Sequence, residues 1–239
     1  MFTKLKYSKS LGIAVILLAG VGSVQANEDI SVSAGLRFWS SQWQANTFPV
    51  IGGSQIAAHA DSDSRIAVIP VISVRYKDFG VSASKFMENT YTLTDGIQVP
   101  FSAKRSESDI NFSYSILPGL SASIGAKEIK WESVVISGPT LGLTGGASIG
   151  SGFGLYGTGG FGMMNTKIQG ASDLATDYML GEFGLSYSFD GVQSTALKGL
   201  SATLGYRFQK ITAKGSAAVN GRDIVDITSG LTMGLIARF

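Results

Sequence analysis

Apolar and polar residues alternate with a period of two along most of the 239-residue chain, and no 3.6-residue pattern interrupts them. The first run is the cleanest: Ile30, Val32, Ala34, Leu36 and Phe38 share one face, and Ser31, Ser33, Gly35 and Arg37 the other. A long polar segment at 42–64 separates it from a second strand over 66–76, apolar on both faces, and a third over 81–93. The fourth, over 104–116, turns Ile110, Phe112, Tyr114 and Ile116 outward and Asp109, Asn111, Ser113 and Ser115 inward. The fifth opens with Leu120, Ala122 and Ile124 opposite Ser121, Ser123 and Gly125. Its phase then shifts, since Ile129 and Trp131 are apolar, and the shift reads as a bulge. Two glycine-rich strands follow near 141–150 and 153–164. The eighth sets Met179, Phe183, Leu185, Tyr187 and Phe189 against Glu182, Gly184, Ser186 and Ser188. The ninth sets Leu200, Ala202, Leu204, Tyr206 and Phe208 against Ser201, Thr203, Gly205 and Arg207, and the tenth runs over 225–239.

Ten strands is an even number, which returns both chain ends to one side; eight or twelve are the alternatives. Turns after strands two, four and six are short, with Lys77-Asp78-Phe79-Gly80 and Leu117-Pro118-Gly119 the clearest. Longer polar connections are expected at 42–64, 94–103, 133–140, 165–176 and 212–224, and the segment 190–198 is long for its place among the short turns. The outward aromatics expected near strand ends are Phe38, Tyr76, Tyr114, Trp131, Tyr187, Phe189, Phe208 and Phe239.

The last residues set Met233, Leu235, Ala237 and Phe239 on one face and Thr232, Gly234, Ile236 and Arg238 on the other. Thr232, Gly234, Ala237 and the final Phe239 resemble the C-terminal signal of Gram-negative outer-membrane β-barrels. That resemblance implies an all-β, transmembrane, antiparallel up-and-down barrel over residues 27–239, with outer-membrane lipid around it and the barrel-assembly machinery reading its last strand. Short turns then face the periplasm and long loops the outside. The other end agrees. Lys4, Lys6 and Lys9 precede an apolar stretch over 11–21 and small residues before Asn27, the pattern of a secretory signal peptide over residues 1–26. The apolar run is shorter than the roughly 20 residues a transmembrane helix requires.

Removing 1–26 takes away three of the 19 basic residues and none of the 17 acidic ones, so the formal charge falls from +2 to −1. The basic excess belongs to the leader, and no nucleic-acid partner is expected. There is no cysteine, so neither disulfides nor thiolate chemistry enter.

The inward positions near the short-turn end are Ser, Thr and Gly, too small to fill a narrow barrel, and they predict a hydrated vestibule. Seven residues up, five strands carry a charge: Arg37, Asp109, Lys127, Glu182 and Arg207. At about 3.3 Å per residue and a tilt near 40°, these form a layer about 18 Å above the rim. A charge facing lipid at depth costs about 2–4 kcal/mol, so all five are assigned to the lumen as a belt. The belt is either a structural salt-bridge plug or a selective constriction for small solutes.

Other motifs give little chemistry. Residues 152–157 and 157–162 both fit GxGxxG, but no helix follows to aim at a pyrophosphate, and no cofactor is expected. His59, the only histidine, stands beside Asp61 and Asp63 and offers at most a weak cation site. Omptin proteases are ten-stranded barrels with external acids and a histidine, yet this chain lacks their Asp-Asp pair, and no enzyme activity or metal site is expected. The leading reading is a narrow channel or small-solute uptake barrel. The alternatives are a plugged barrel working through its outer loops, and a hydrophobic-compound transporter with a weak wall at Pro70 or in the glycine-rich strands. Oligomeric state is left open.

Overall fold

In the computed structural model the alternation becomes a closed antiparallel sheet. The structure describes residues 30–47, 50–51, 54–55, 58–94, 100–168, 173–189, 196–216 and 221–239. The strands are β1 (Ile30–Thr47), β2 (Val50–Ile51), β3 (Ser54–Gln55), β4 (Ala58–Ser62), β5 (Arg65–Tyr76), β6 (Phe79–Thr94), β7 (Pro100–Leu117), β8 (Leu120–Trp131), β9 (Val134–Gly150), β10 (Phe153–Ile168), β11 (Leu174–Phe189), β12 (Gly199–Ser216) and β13 (Arg222–Arg238). Each long strand pairs with its sequence neighbours, and β13 pairs with β1 from Ser33↔Arg238 to Ala45↔Asp226, closing the ring. β4 and β5 both lie between β1 and β6, so they share one position in the wall. The eleven strands of the sheet therefore make a ten-stranded barrel, while β2 and β3 form a separate hairpin. Among the described residues no helix is long and apolar enough to cross a membrane. The signal-peptide segment 1–26, Phe48 and Pro49 of the first loop, and 190–195 of the long connection lie outside the described residues.

The outside of the wall carries an apolar band. Ile110, Phe112, Tyr114 and Ile116 on β7, Leu141 and Leu143 on β9, Phe183 and Leu185 on β11, and Leu231, Met233 and Leu235 on β13 are all exposed. Free solvent would not sustain such a surface; it is the face of a barrel set in lipid. Aromatic rings cluster where the short turns lie: Phe79 with Tyr114 at 5.1 Å, Phe153 with Tyr187 at 4.7 Å, and Tyr187 with Phe189 at 5.0 Å. Above the band the outward positions turn polar, at Ser108 and Lys104 on β7 and at Glu128 and Lys130 on β8. The strands continue past this boundary as a polar collar.

Several expectations are corrected. β8 contains no bulge: its ladders with β7 and β9 run in continuous register through Lys127, Ile129 and Trp131, and parity never changes. Ile129 and Trp131 are apolar because the inner face itself becomes apolar there. Trp131 is thus no girdle residue; it stacks on Trp43 with ring centroids 5.3 Å apart. The bulge sits on β6 instead, where register slips between Phe86 and Asn89. The expected loop at 133–140 is strand, since Glu132 and Ser133 form a tight turn and β9 starts at Val134. Glu132 adopts the left-handed conformation this turn requires, at φ 46°. The glycine-rich pair β9–β10 is not a weak wall, since it is paired nearly along its length.

Candidate functional site

Inward parity is constant on most strands, so extending it from the short-turn end toward the loops builds the lumen side chain by side chain. The lowest positions are Ser113 and Ser115 on β7, Ser121 and Ser123 on β8, Ser186 and Ser188 on β11, and Ser201 and Thr203 on β12. A cavity of about 700 Å³ opens at this end, lined in part by Arg75, Ser115, Ser121, Thr144 and Tyr156. Arg75 donates to the Ser115 hydroxyl within it.

The five residues of the expected belt all face inward and gather into two groups. Arg37 on β1 and Arg207 on β12 both bind Glu182 on β11, Arg37 directly and Arg207 at 3.7 Å. The Glu182 carboxylate also accepts from the Tyr156 hydroxyl at 3.0 Å and from Thr232 at 3.5 Å. Space for this arrangement is made at Gly205, where a Cβ would collide with the Tyr156 hydroxyl. The second group is a cross-strand pair: Lys127 on β8 donates to both carboxylate oxygens of Asp109 on β7 at 3.0 Å.

A third group lies one to two inward positions higher. Arg105 is fully buried, and all five of its N–H donors are taken. Nε and Nη2 reach Glu107 at 3.1 and 2.8 Å, Nη2 also reaches Gln209 at 2.9 Å, and Nη1 reaches Thr228 at 2.6 Å and Asp226 at 3.4 Å. Glu107 binds Lys127 at 2.6 Å, joining this group to the belt, and accepts from Gln209 at 3.1 Å. Trp43 donates its indole N–H to Asp226, and its ring lies over the Arg105 guanidinium at 5.4 Å. Across these groups Arg37, Arg105, Lys127 and Arg207 meet Glu107, Asp109, Glu182 and Asp226, one acid for each base. Such balance, with every donor of Arg105 taken, is what buried charges require to persist.

Apolar packing fills the rest of the collar. One cluster gathers Trp39, Trp43, Ala67, Ile69, Phe86, Tyr91 and Leu93; another gathers Ile129, Ile136, Met164, Tyr178 and Ile211. The Tyr91 hydroxyl meets Ser41 at 2.5 Å. Three buried polar atoms find no protein partner among the described residues: Trp39 Nε1, Tyr178 Oη and Arg207 Nε.

Arg105, Glu107, Gln209, Asp226 and Thr228 were missed by counting a single layer of charge. The signal was present, because Arg105 and Glu107 share the parity of Asp109, Gln209 that of Arg207, and Asp226 and Thr228 that of Thr232. The C-terminal signal residues are placed in the closing strand. Thr232 is buried beside Glu182, Gly234 pairs with Arg37, Ala237 pairs with Ala34, and Phe239 exchanges backbone hydrogen bonds with Val32 at 2.8 and 3.3 Å. His59 pairs with Asp61 at 3.3 Å and with Asn46 at 3.3 Å on the exposed collar.

No family model matches the chain, and no curated protein matches it. Among solved structures it is similar to the outer membrane protease OmpT from Escherichia coli, at 13% identity and a TM-score of 0.54, covering 89% of this chain and 97% of that one. It is also similar to the outer membrane protein OprG from Pseudomonas aeruginosa (12% identity, TM-score 0.43, 88% and 95% covered). A third is the translocator domain of the autotransporter NalP from Neisseria meningitidis (12% identity, TM-score 0.41, 96% and 98% covered). The chain has the fold of an outer-membrane β-barrel.

Proposed function

We propose that this protein is an integral outer-membrane barrel whose lumen is shut by an ion-pair and aromatic plug, with a vestibule open to the periplasm and a polar collar outside. The observation that carries the reading is Arg105: fully buried, five donors satisfied, roofed by the Trp43–Trp131 stack. A selective constriction would keep solvated charges along an open path; here the charges satisfy one another. In this reading residues 1–26 are the export signal, cleaved near Ala26. The strand ending in Phe239 engages the assembly machinery. His59 and Asp61 meet at 3.3 Å on the exposed collar, and this reading gives them no catalytic role.

Single-channel recording of the protein extracted from outer membranes and inserted in a planar bilayer tests this. A barrel that is folded by heat-modifiable gel mobility yet electrically silent is the expected result. Discrete, stable conductance steps from the wild-type protein would instead favour the narrow solute channel. The vestibule is the one observation on that side: its cavity of about 700 Å³ is lined as far as Tyr156, directly beneath the plug.

A further inference from the structure

The wall has a slit. β5 pairs with β6 only from Val71↔Ser84 to Tyr76↔Phe79, and the partnership resumes at Ser62↔Leu93 and Asp61↔Thr94 on β4. The paired positions below and above keep one register, yet among the described residues no backbone pairing joins 65–70 to 85–92. Among the described residues this is the longest interruption in the wall: β9–β10 skips only Gly138 and Pro139 against Met163 and Met164, and β6–β7 only the bulge at 87–88. Sequence accounts for the lapse: Pro70 brings no N–H, and the β6 bulge at 87–88 throws the facing edge out of step. Among the described residues one hydrogen bond spans the opening, Asn89 Nδ2 donating to the Ile66 carbonyl at 3.2 Å, and Ala67 and Ile69 share a buried cluster with Phe86 and Tyr91 on the inner side. The slit lies where the band gives way to the collar, since Lys85 and Thr90 on its β6 edge pair with Ser108 and Lys104 of β7. Unsatisfied backbone at the edge of lipid is costly, so the rest of the barrel must stabilise it.

The β5 lip and the inside of the slit suit an apolar guest, while the β6 lip carries exposed Lys85 and Glu88. Outside, Ile66 is 69% exposed, and Val68 and Pro70 continue the same lip. Inside, Phe86 packs edge-on against Trp39 at 6.0 Å, and the Arg207 guanidinium lies over the Trp39 ring at 5.0 Å. Trp39 Nε1 and Arg207 Nε are two of the three buried polar atoms without a protein partner, and both are donors. The line from lip to lumen thus runs from apolar to aromatic to unpaired donors.

We propose that the slit between β5 and β6 admits a single acyl chain carrying a free carboxylate, head inward toward Trp39 and Arg207 and tail lying between Val68 and Met87. Phe86 and Trp39 shift as it enters. A bilayer phospholipid does not fit this description, because its head group stays at the interface. The inference rests on the plug reading only in that a shut lumen leaves the wall as the route inward.

Photolabelling of the wild-type protein in phospholipid vesicles, using a sixteen-carbon fatty acid with a diazirine close to its carboxylate, tests the idea. Label should appear on peptides containing Trp39, Ile69 or Phe86, and unlabelled fatty acid should compete it away. In Val68→Cys with Met87→Cys, joined by a short cleavable thiol cross-linker (the natural chain has no cysteine), that label should fall at least tenfold and return on cleavage. Label confined to outward residues of the band, or indifferent to the cross-link, overturns the proposal. So does equal labelling by a diazirine phospholipid, which would make the slit a bilayer contact only. A barrel that conducts ions but still labels at Trp39 refutes the plug alone; a silent barrel without that label refutes the slit alone.

Discussion

The two halves of the lumen share one wall and one parity yet contain opposite materials. Toward the short turns, the inner face of β8 reads Ser121, Ser123, Gly125; toward the loops it reads Lys127, Ile129, Trp131. The first stretch leaves a cavity, while the second is as closely packed as a soluble core, with Ile129 and Arg105 fully buried. The outer face tells the reverse story, apolar beside the vestibule and polar beside the plug. The bilayer sets one face of each strand and the lumen sets the other, so the two faces exchange character at nearly the same height. Stability should therefore reside in the collar, and the span within the apolar band should tolerate changes of its small inward residues.

The largest expected effect is Glu107→Ala. It leaves Arg105 and Lys127 buried with their shared carboxylate gone, a loss of about 3–5 kcal/mol, measured as a lowered urea midpoint of the heat-modifiable form. Removing the whole charge set, Arg105→Met with Glu107→Leu and Asp226→Asn, leaves Lys127 paired with Asp109 and should recover most of that loss. A triple variant no better than the single one would show that the network does not act as a unit. Trp43→Ala removes the stack on Trp131 and the roof over Arg105 and should cost about 3 kcal/mol, with conductance steps appearing if this ring is the outer seal. At the junction of the two halves, Gly205→Ala forces the Tyr156 hydroxyl away from Glu182 and should cost about 1–3 kcal/mol, read from the same urea curves. Ser113→Ala or Ser123→Ala in the vestibule should stay within about 0.5 kcal/mol of wild type. A serine variant that destabilises as much as Glu107→Ala would erase the distinction between the halves.

Period-two alternation made the wall legible, and with it the tight turns at 77–78, 118–119 and 151–152. The charges of β1, β7, β8, β11 and β12 could be set inward because lipid leaves them no other side. What parity could not convey was content. Ile129 and Trp131 looked like a slipped strand because an apolar inner face has no local signature; only ring closure, which carries β1 around to the collar, brings Trp43 to Trp131. The true slip on β6 was hidden for the same reason. Phe86, Met87 and Tyr91 are apolar on both parities, so nothing in that stretch marks the added residue. The segment 133–140 looked like a loop because a collar strand above the bilayer needs no apolar outer face.

The pairing of β1 with β13 has a kinetic meaning. Residues 199 positions apart, such as Leu36 and Leu235, must find each other before the ring exists. Until then β1 presents an unpaired edge to any strand that passes, and the ion pair between Arg37 and Glu182 cannot form across the gap. Contacts this distant in sequence form slowly. The same closure that protects the finished barrel makes its nascent form vulnerable to misassociation, and an escort that covers β1 during that interval would act on the rate-limiting step.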